Sequence, residues 1–235
     1  MTKELPLLQL HHVTKKFKNK TALDDISLKL PKGRIIGLLG PNGSGKTTLI
    51  KLANGLLQPT KGEIVVNGLR PCPESKSLIS YLPDTTYLND KMKVRDILRL
   101  FEDFYANFDR QKAEQLLEDL AIDQDEKLKS LSKGNKEKVQ LILVMSRKAK
   151  LYILDEPIGG VDPATRDYIL KTIINNYSED ASILISTHLI ADIEQILDEV
   201  IFINQGNIIL QENADDLREQ QAQSIDQIFR EQFKA

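Results

Sequence analysis

The sequence has little of what marks several common protein classes. It contains one cysteine, Cys72, which excludes an internal disulfide and a multi-cysteine zinc site and fits a reducing compartment. We interpret Cys72 as a small filler beside two prolines. No apolar run reaches the length of a membrane span, because charged residues interrupt each one, and residues 1–6 lack the apolar segment of a secretory signal. If the protein works at a membrane, we expect another chain to supply the spans.

Neither sign of charge dominates the chain. The formal net charge is −2 over 235 residues, so there is no general reason to expect a nucleic-acid partner, which favours a basic face. Hydrophobic residues make up 41% and charged residues 28%, as in ordinary soluble globular proteins. The length suits one large domain, or a domain with a subdomain.

A glycine-rich loop is the strongest pattern present. Residues 40–47 fit G-x-x-x-x-G-K-[ST] and lie between an apolar strand pattern at 34–39 and a helical pattern at 47–54. Glycines let successive backbone N–H groups point at phosphate oxygens, and the helix adds its positive end. A mere turn with a solvated lysine is disfavoured by this strand–loop–helix context. We predict a nucleotide site formed by Gly40, Pro41, Asn42, Gly43, Ser44, Gly45, Lys46, Thr47 and Thr48.

A second pattern supplies acidic residues. Residues 151–154 are an apolar strand followed by Asp155 and Glu156, and parallel strands deliver such residues to the ligand-binding edge of a sheet. We predict that Asp155 holds Mg²⁺ opposite the Thr47 hydroxyl, while Lys46 reaches the outer phosphates. Glu156 is then placed to polarise a water for in-line attack on the γ-phosphate. Two acids can also simply end a strand in solvent, but the glycine-rich loop favours the site.

Three further residues are candidates on weaker patterns. His188 follows an apolar strand at 182–186, where an imidazole can donate a hydrogen bond to the γ-phosphate. Ser132 is the predicted N-cap of an apolar helix whose N-terminus could bind an anion. Phe17 lies in a basic segment, 15–20, that we predict to be an exposed turn. It is either a partly exposed anchor or a base-stacking residue.

The order of elements predicts an α/β fold. Continuous apolar strands alternate with helices, which is typical of a mostly parallel sheet covered on both faces. Residues 85–148 are predicted to be a helical insertion, with an apolar stripe at 94–108 that we interpret as core. Asp109, Asn213 and Ser224 are predicted helix caps. The predicted strands are 7–12, 26–30, 62–68, 79–82, 151–154, 182–186 and 200–203.

Together these motifs resemble the ATP-binding cassette family, the nucleotide-binding subunits of ABC transporters. The resemblance covers nearly all of residues 5–210. Residues 40–47 match the family's Walker A motif. Residues 151–156 match its Walker B motif, with Glu156 as the catalytic glutamate, and His188 matches its switch histidine.

Two other segments extend the resemblance. Residues 131–135 resemble the family's LSGGQ signature, and 160–162 resemble its D-loop. The family works as head-to-tail dimers in which each signature closes on the partner's ATP. This implies that Ser132 and Gly134 face a phosphate held by a second ABC subunit, identical or not. Phe17 falls where the family stacks an aromatic on adenine.

The sequence departs from the family pattern at several positions. Lys133 and Asn135 replace the usual glycine and glutamine of the signature, and Gly159 replaces the usual serine of the D-loop. Asp84 replaces the glutamine of the Q-loop. An aspartate there could still meet Mg²⁺ or water, so Asp84 is included among the metal-site candidates.

The resemblance implies one P-loop NTPase domain of the ABC type over residues 1–235. Its α/β core, with an N-terminal antiparallel β subdomain, is predicted at 1–84 and 149–211, a helical subdomain carrying the signature at 85–148, and short C-terminal helices at 212–235. It also implies an ATPase that uses ATP and Mg²⁺, lies in the cytoplasm on the inner face of the cell membrane, and serves a separate transmembrane permease. The short chain resembles the cassettes of ABC-2-type exporters, including drug and peptide efflux.

Two alternatives stay open at this point. One is a soluble ABC ATPase acting in DNA repair or translation, although those usually carry long coiled coils or two cassettes in one chain. The other is a nucleotide-gated regulatory module that binds ATP with little turnover, which the altered signature and Asp84 keep open.

Overall fold

The computed structural model describes residues 5–176, 178 and 180–233. The strands are β1 (Leu8–Phe17), β2 (Lys20–Leu30), β3 (Ile35–Leu39), β4 (Lys61–Val66), β5 (Ile79–Leu82), β6 (Leu151–Asp155), β7 (Ser182–Thr187), β8 (Glu199–Asn204) and β9 (Asn207–Asn213). The helices are α1 (Lys46–Ala53), α2 (Pro73–Ser77), α3 (Val94–Phe104), α4 (Arg110–Asp119), α5 (Lys133–Met145), α6 (Pro163–Asn176), α7 (Ile190–Ile193), α8 (Ala214–Gln221) and α9 (Ile225–Gln232). None of the helices within these ranges is long and apolar enough to cross a bilayer.

The main sheet has six strands in the order β5-β6-β7-β3-β8-β9. Neighbouring strands from β5 to β8 run parallel, and β9 is antiparallel to β8. The mostly parallel core predicted from the sequence is therefore present. Because β6 and β3 both pair with β7, their carboxyl ends meet at one edge of the sheet, which is where ligands of open α/β sheets bind.

A smaller antiparallel sheet, in the order β2-β1-β4, covers one face of the main sheet. The side chains of β3 alternate between two apolar cores, as the strand period of two requires. Ile36 and Leu38 pack with the small sheet and α1, whereas Ile35 and Leu39 pack on the opposite face with α5, α6 and the C-terminal helices. Both faces of the sheet are therefore buried, which explains why its strands are continuously apolar.

Helices α3, α4 and α5 share a third apolar core. Ile97 and Phe101 of α3, Leu117 of α4, and Val139 and Leu143 of α5 are at most 5% exposed there. Burial of each such side chain is worth about 1.5–3 kcal/mol. The helical insertion thus has its own packing and joins the sheet through α5, whose other face contributes to the main core.

Several boundaries differ from the prediction. The basic segment 15–20 is exposed from residue 16 onward, as predicted, but its turn is limited to residues 18 and 19, because β1 continues to Phe17 and β2 starts at Lys20. Its polar side chains lie at the end of a hairpin that extends past the core, so no apolar alternation marks it. Helix α3 ends at Phe104 rather than at residue 108, and Phe104 is 76% exposed. The core interpretation of the stripe is therefore wrong at that residue.

The predicted helix caps are confirmed. Asp109, Asn213 and Ser224 each accept a backbone N–H at the start of α4, α8 and α9. Cys72, interpreted as a filler, instead caps the short helix α2: its thiol accepts the N–H of Ser75 at 3.4 Å. Thiols are weak acceptors, so the sequence pattern gave no reason to expect this role.

Candidate nucleotide-binding site

A cavity of about 560 Å³ opens at the carboxyl edge of the main sheet. The loop after β3 lies on one side, the acids after β6 on another, and the end of the β1–β2 hairpin on a third. Predicted site residues that line it are Phe17, Asn42, Gly43, Gly45, Lys46, Thr47, Thr48, Asp84, Asp155 and Glu156.

Glycines shape the loop between β3 and α1. A Cβ at Gly40 would collide with the carbonyl oxygen of Ile203 in β8, and one at Gly45 would lie 2.8 Å from the carbonyl oxygen of Ala22 in β2. Gly45 also has φ 114°, a conformation that favours glycine. Because α1 starts without a side-chain cap, its first N–H groups are available to an anionic ligand.

Lys46 lies at the base of the cavity and is only 7% exposed. Its ammonium donates to the carbonyl oxygens of Gly40 at 2.6 Å and Pro41 at 3.3 Å. Burial lowers the pKa of Lys46, and the charges of Glu156 and Asp155 oppose that shift. The ammonium is therefore desolvated and faces the cavity from a fixed position. A phosphate that enters the cavity would replace the water contacts that the ammonium lost on folding.

Asp155 is 2% exposed at the end of β6. Its Oδ1 accepts the Ser186 hydroxyl at 2.5 Å, whereas its Oδ2 has no partner. Burial raises the pKa of Asp155, with Asp84 and Glu156 adding to the shift while the Ser186 hydrogen bond and Lys46 oppose it. A buried carboxylate oxygen without a partner is costly unless a cation or a water completes it.

Glu156 is held by groups on β7 and the loop beyond it. Its N–H donates to the carbonyl oxygen of Ser186 at 2.8 Å, and its Oε2 lies 3.1 Å from Thr187 Oγ1 and 2.9 Å from His188 Nδ1. Its φ is +52°, in the left-handed region that costs a non-glycine residue free energy. Such strain is maintained only where surrounding bonds over-determine the residue, as they do here.

The three metal-site candidates Thr47, Asp84 and Asp155 share the cavity. Burial, together with the charges of Asp155 and Asp84, raises the pKa of Tyr81 to about 12, so the acids form one negative region. Within the described residues no group of three or more His, Cys, Asp or Glu side chains could hold a metal alone. Mg²⁺ is commonly bound by one or two carboxylates plus substrate phosphates, and the unpartnered Oδ2 of Asp155 is a suitable ligand for it.

Several predicted residues do not line the cavity. Gly40, Pro41 and Ser44 form the back of the loop, and His188 reaches the site through Glu156. Ser132 and Gly134 lie apart from it at the start of α5. Ser132 caps that helix by accepting the N–H of Asn135 at 3.2 Å. In one chain, therefore, the signature segment does not contribute to the cavity.

Sequence reasoning missed one wall of the cavity: Lys20, Thr21, Ala22, Gln205 and Gly206. Gln205 and Gly206 form the tight turn between β8 and β9 and have φ 45° and 80°. The N–H of Gly206 donates to the carbonyl oxygen of Ser44 at 2.8 Å, and its own carbonyl oxygen accepts the N–H of Asp24 at 2.9 Å. A glycine in a two-residue turn between apolar runs indicates a hairpin, but nothing local indicates contact with the loop.

The parallel sheet, the glycine loop and the acids at the neighbouring strand ends define a P-loop nucleotide-binding protein. The family model described as "ABC transporter" matches residues 23–159, more than half of the chain. The chain therefore belongs to the ABC transporter family, as an ATP-binding subunit with ATPase activity. The fold class predicted from the sequence is confirmed.

Relatives match over most of the chain. The ABC transporter ATP-binding protein YtrB of Bacillus subtilis is 31% identical over 217 residues, which span 91% of this chain and 74% of that protein. The lantibiotic transport ATP-binding protein SrtF of Streptococcus pyogenes is 26% identical and 97% of each chain is covered. A solved structure described as the ATP binding subunit of an ABC transporter superposes with a TM-score of 0.88 at 28% identity, covering 97% of this chain and 100% of that one.

Proposed function

We propose that this subunit hydrolyses ATP in a head-to-tail dimer with a second ABC subunit and thereby drives substrate movement by a separate transmembrane permease. The observation that carries the proposal is the placement of Lys46, Asp155 and Glu156 around one cavity, with the ammonium desolvated and Asp155 Oδ2 unpartnered. These are the groups that phosphoryl transfer to water requires: a cation at the phosphates, a metal ligand and a base.

In the proposed complex the nucleotide extends across the cavity. Phe17, 43% exposed at the end of the β1–β2 hairpin, stacks on the base. The triphosphate lies against the N–H groups of residues 42–48 and the Lys46 ammonium. The ammonium's bonds to Gly40 and Pro41 would hold it in place as the phosphates arrive, so little reorganisation is needed on binding.

Thr47, Asp155 and Asp84 are the residues proposed to hold Mg²⁺. Bound there, the ion would neutralise charge on the outer phosphates. The Ser186 hydroxyl fixes Oδ1 of Asp155 and leaves Oδ2 free for this role. Asp84 adds a third carboxylate beside Asp155 and Glu156, which makes the empty cavity more negative and the binding of nucleotide more dependent on a divalent cation.

Glu156 is the proposed general base. The Thr187 and His188 contacts to Oε2 orient the carboxylate toward the cavity, leaving Oε1 to accept a proton from the attacking water. His188 is 55% exposed at its side chain. Its Nδ1 lies against Oε2 of Glu156. The other ring nitrogen is placed to donate a hydrogen bond to the γ-phosphate once nucleotide is bound.

Dimer closure would complete the site. Ser132 and Gly134 lie outside the chain's own cavity, at the N-terminus of the 13-residue helix α5. The proposal places these residues on the γ-phosphate bound by the partner subunit. Each of the two nucleotides would then be shared between a loop of one subunit and a helix tip of the other.

The permease is proposed to dock beside the helical subdomain. A groove of about 580 Å³ next to Asp84 has mostly apolar walls, and Leu56 and Tyr87 in it are 59% and 56% exposed. Such a patch is typical of a protein interface. Cytoplasmic placement at the membrane and export by an ABC-2-type partner follow as parts of the same proposal. The lantibiotic relative supports peptides as a substrate class.

Replacing Glu156 by Gln tests the hydrolytic proposal. The amide keeps the shape of the side chain but cannot take a proton, so we expect turnover to fall by at least about 100-fold while ATP binding persists and an ATP-bound dimer accumulates. Phosphate release and size-exclusion chromatography with ATP and Mg²⁺ measure the two effects. Glu118→Gln, on the exposed face of α4, is the matched control. Equal, low turnover in all three proteins would instead support the regulatory module.

A further inference from the structure

The loop that follows Glu156 touches the tip of helix α5. Lys133 Nζ donates to the carbonyl oxygen of Gly160 at 3.0 Å. A Cβ on Gly160, whose φ is +70°, would lie 2.8 Å from the same ammonium. Glu137 Oε1 lies 3.9 Å from it on the helix side. The side chain of Lys133 is 71% exposed, and its ammonium lies on the surface of the loop, where it bridges Gly160 and Glu137.

A second contact joins the tip of α5 to helix α6, which directly follows this loop. A Cβ on Gly134 would lie 3.1 Å from Thr165 Oγ1, so the start of α5 packs closely on the start of α6. Asp162 fixes that start by accepting the N–H of Thr165 at 3.0 Å and its hydroxyl at 2.7 Å. The tip of α5 and the loop 157–162 thus form one packed unit.

The loop connects this unit to Glu156. The N–H of Gly159 donates to the carbonyl oxygen of Glu156 at 3.1 Å, and the strained backbone of Glu156 depends on its surroundings to persist. On the β7 side Glu156 is held by Ser186, Thr187 and His188. On the loop side the restraint passes through Gly160 to Lys133.

We propose that Lys133 is a positioning residue for Glu156, tying the tip of α5 to the loop that sets the carboxylate of the same chain. The inference rests on the proposed hydrolytic function. Lys133 occupies a position where the family pattern has glycine, and a glycine there has no side chain to make this bond. A ligand arriving at the α5 tip would thereby influence hydrolysis in the chain that supplies the tip.

The test compares three variants of the full chain. Lys133→Met keeps the length of the side chain but removes the donor, and Lys133→Arg restores a donor to the carbonyl. Lys136→Met, one turn along α5 and paired with Asp90, is the control for loss of charge on the same helix. We expect Lys133→Met to lower kcat about fivefold, since misplacement of a catalytic group by a fraction of an ångström has effects of this order. KM should stay within about twofold.

A second readout does not depend on turnover. Hydrogen exchange of the amides at 157–161 in the nucleotide-free chain should be faster in Lys133→Met than in wild type, and normal in Lys133→Arg and Lys136→Met. Unchanged exchange together with unchanged kcat in Lys133→Met overturns the inference. If wild type itself fails to hydrolyse ATP, the proposed function has failed, and unchanged exchange alone then decides against the tether.

Discussion

Two buried cations, Lys46 and Arg147, occupy different regions of the molecule and have different partners. Both are almost fully buried, at 7% and 5% exposed, and burial lowers the pKa of each. Lys46 lies at the carboxyl edge of the sheet. Arg147 follows α5, where the helical subdomain joins the core. Burial and desolvation alone therefore do not distinguish a candidate binding residue from a structural one.

The partners of the two cations do distinguish them. Arg147 donates to the carbonyl oxygens of Ile79 at 2.6 Å and Ser77 at 3.1 Å and to the Asn107 side chain at 3.1 Å. Its guanidinium lies 3.9 Å from the centre of the Tyr105 ring. These bonds link three segments, so the guanidinium is engaged in holding the helical subdomain on the core.

The Lys46 ammonium does not use all of its hydrogen-bond donors within the chain. It makes two bonds within its own loop and faces carboxylates, one of which has an unpartnered oxygen. A cation whose neighbours are also unsatisfied is arranged for a ligand that is not part of the chain. What the contrast teaches is that the partners of a buried cation, rather than its burial, separate a candidate binding residue from a structural one.

The strongest test of this contrast is Lys46→Met. We expect ATP affinity to fall by at least about 100-fold, because a charge-assisted contact to phosphate is lost. The free energy of unfolding should not fall, because the folded state no longer holds a desolvated cation. Calorimetry with ATP and Mg²⁺ and urea unfolding measure the two quantities. Lys51→Met, at an exposed position on the same helix, should change neither quantity. A large loss of stability in Lys46→Met would show that Lys46, like Arg147, has a structural role.

Arg147→Met should show the opposite pattern. Removal of the guanidinium leaves buried carbonyl oxygens without donors, and we expect the free energy of unfolding to fall by about 2 kcal/mol. ATP affinity should remain within about twofold of wild type, since Arg147 does not line the nucleotide cavity. Urea unfolding and calorimetry on the same preparation measure both. Weaker ATP binding at unchanged stability would contradict the assignment.

The sequence predicted what local rules determine. The glycine loop at 40–47 and the acids after β6 were found because strand–loop–helix order and strand ends are local patterns, and the fold class followed from apolar runs alternating with helices. The cavity brings most of those residues together. The roles assigned to them, and the domain bounds at residues 84 and 149, stay predictions.

What could not be predicted depends on packing between distant segments. Gly206 meets the loop only because β8 pairs with β3, and no property of its own turn specifies that neighbour. The Lys133–Gly160 bond joins residues 27 apart in the chain. Arg147 is another case, since a charged residue after a helix is ordinarily solvated, and its burial follows from the way the helical subdomain closes over β5.

The smallest expected effect concerns the carboxylates opposite Lys46. Burial raises the pKa of Asp155 above its ordinary value of 3.8, so between that value and the raised pKa the folded chain binds more protons than the unfolded one. The contribution of Asp155 to stability therefore falls as pH rises through this window. Asp155→Asn keeps an acceptor for Ser186 and removes the charge. It should be more stable than wild type at pH 7, by about 0.5–1 kcal/mol, and equal to it below pH 3.8.

Asp162→Asn provides a control of opposite sign. Hydrogen bonds from Thr165 lower the pKa of Asp162, so its contribution to stability is present above pH 3.8 and is lost as pH falls through the lowered pKa. Asp162→Asn should thus be less stable than wild type at pH 7, with the difference disappearing in acid. Urea unfolding at a series of pH values compares the two variants. If the stability of Asp155→Asn instead depends on pH as that of Asp162→Asn does, the fold itself stabilises the charge of Asp155. The carboxylate would then not need a bound cation, which would contradict the proposed metal site.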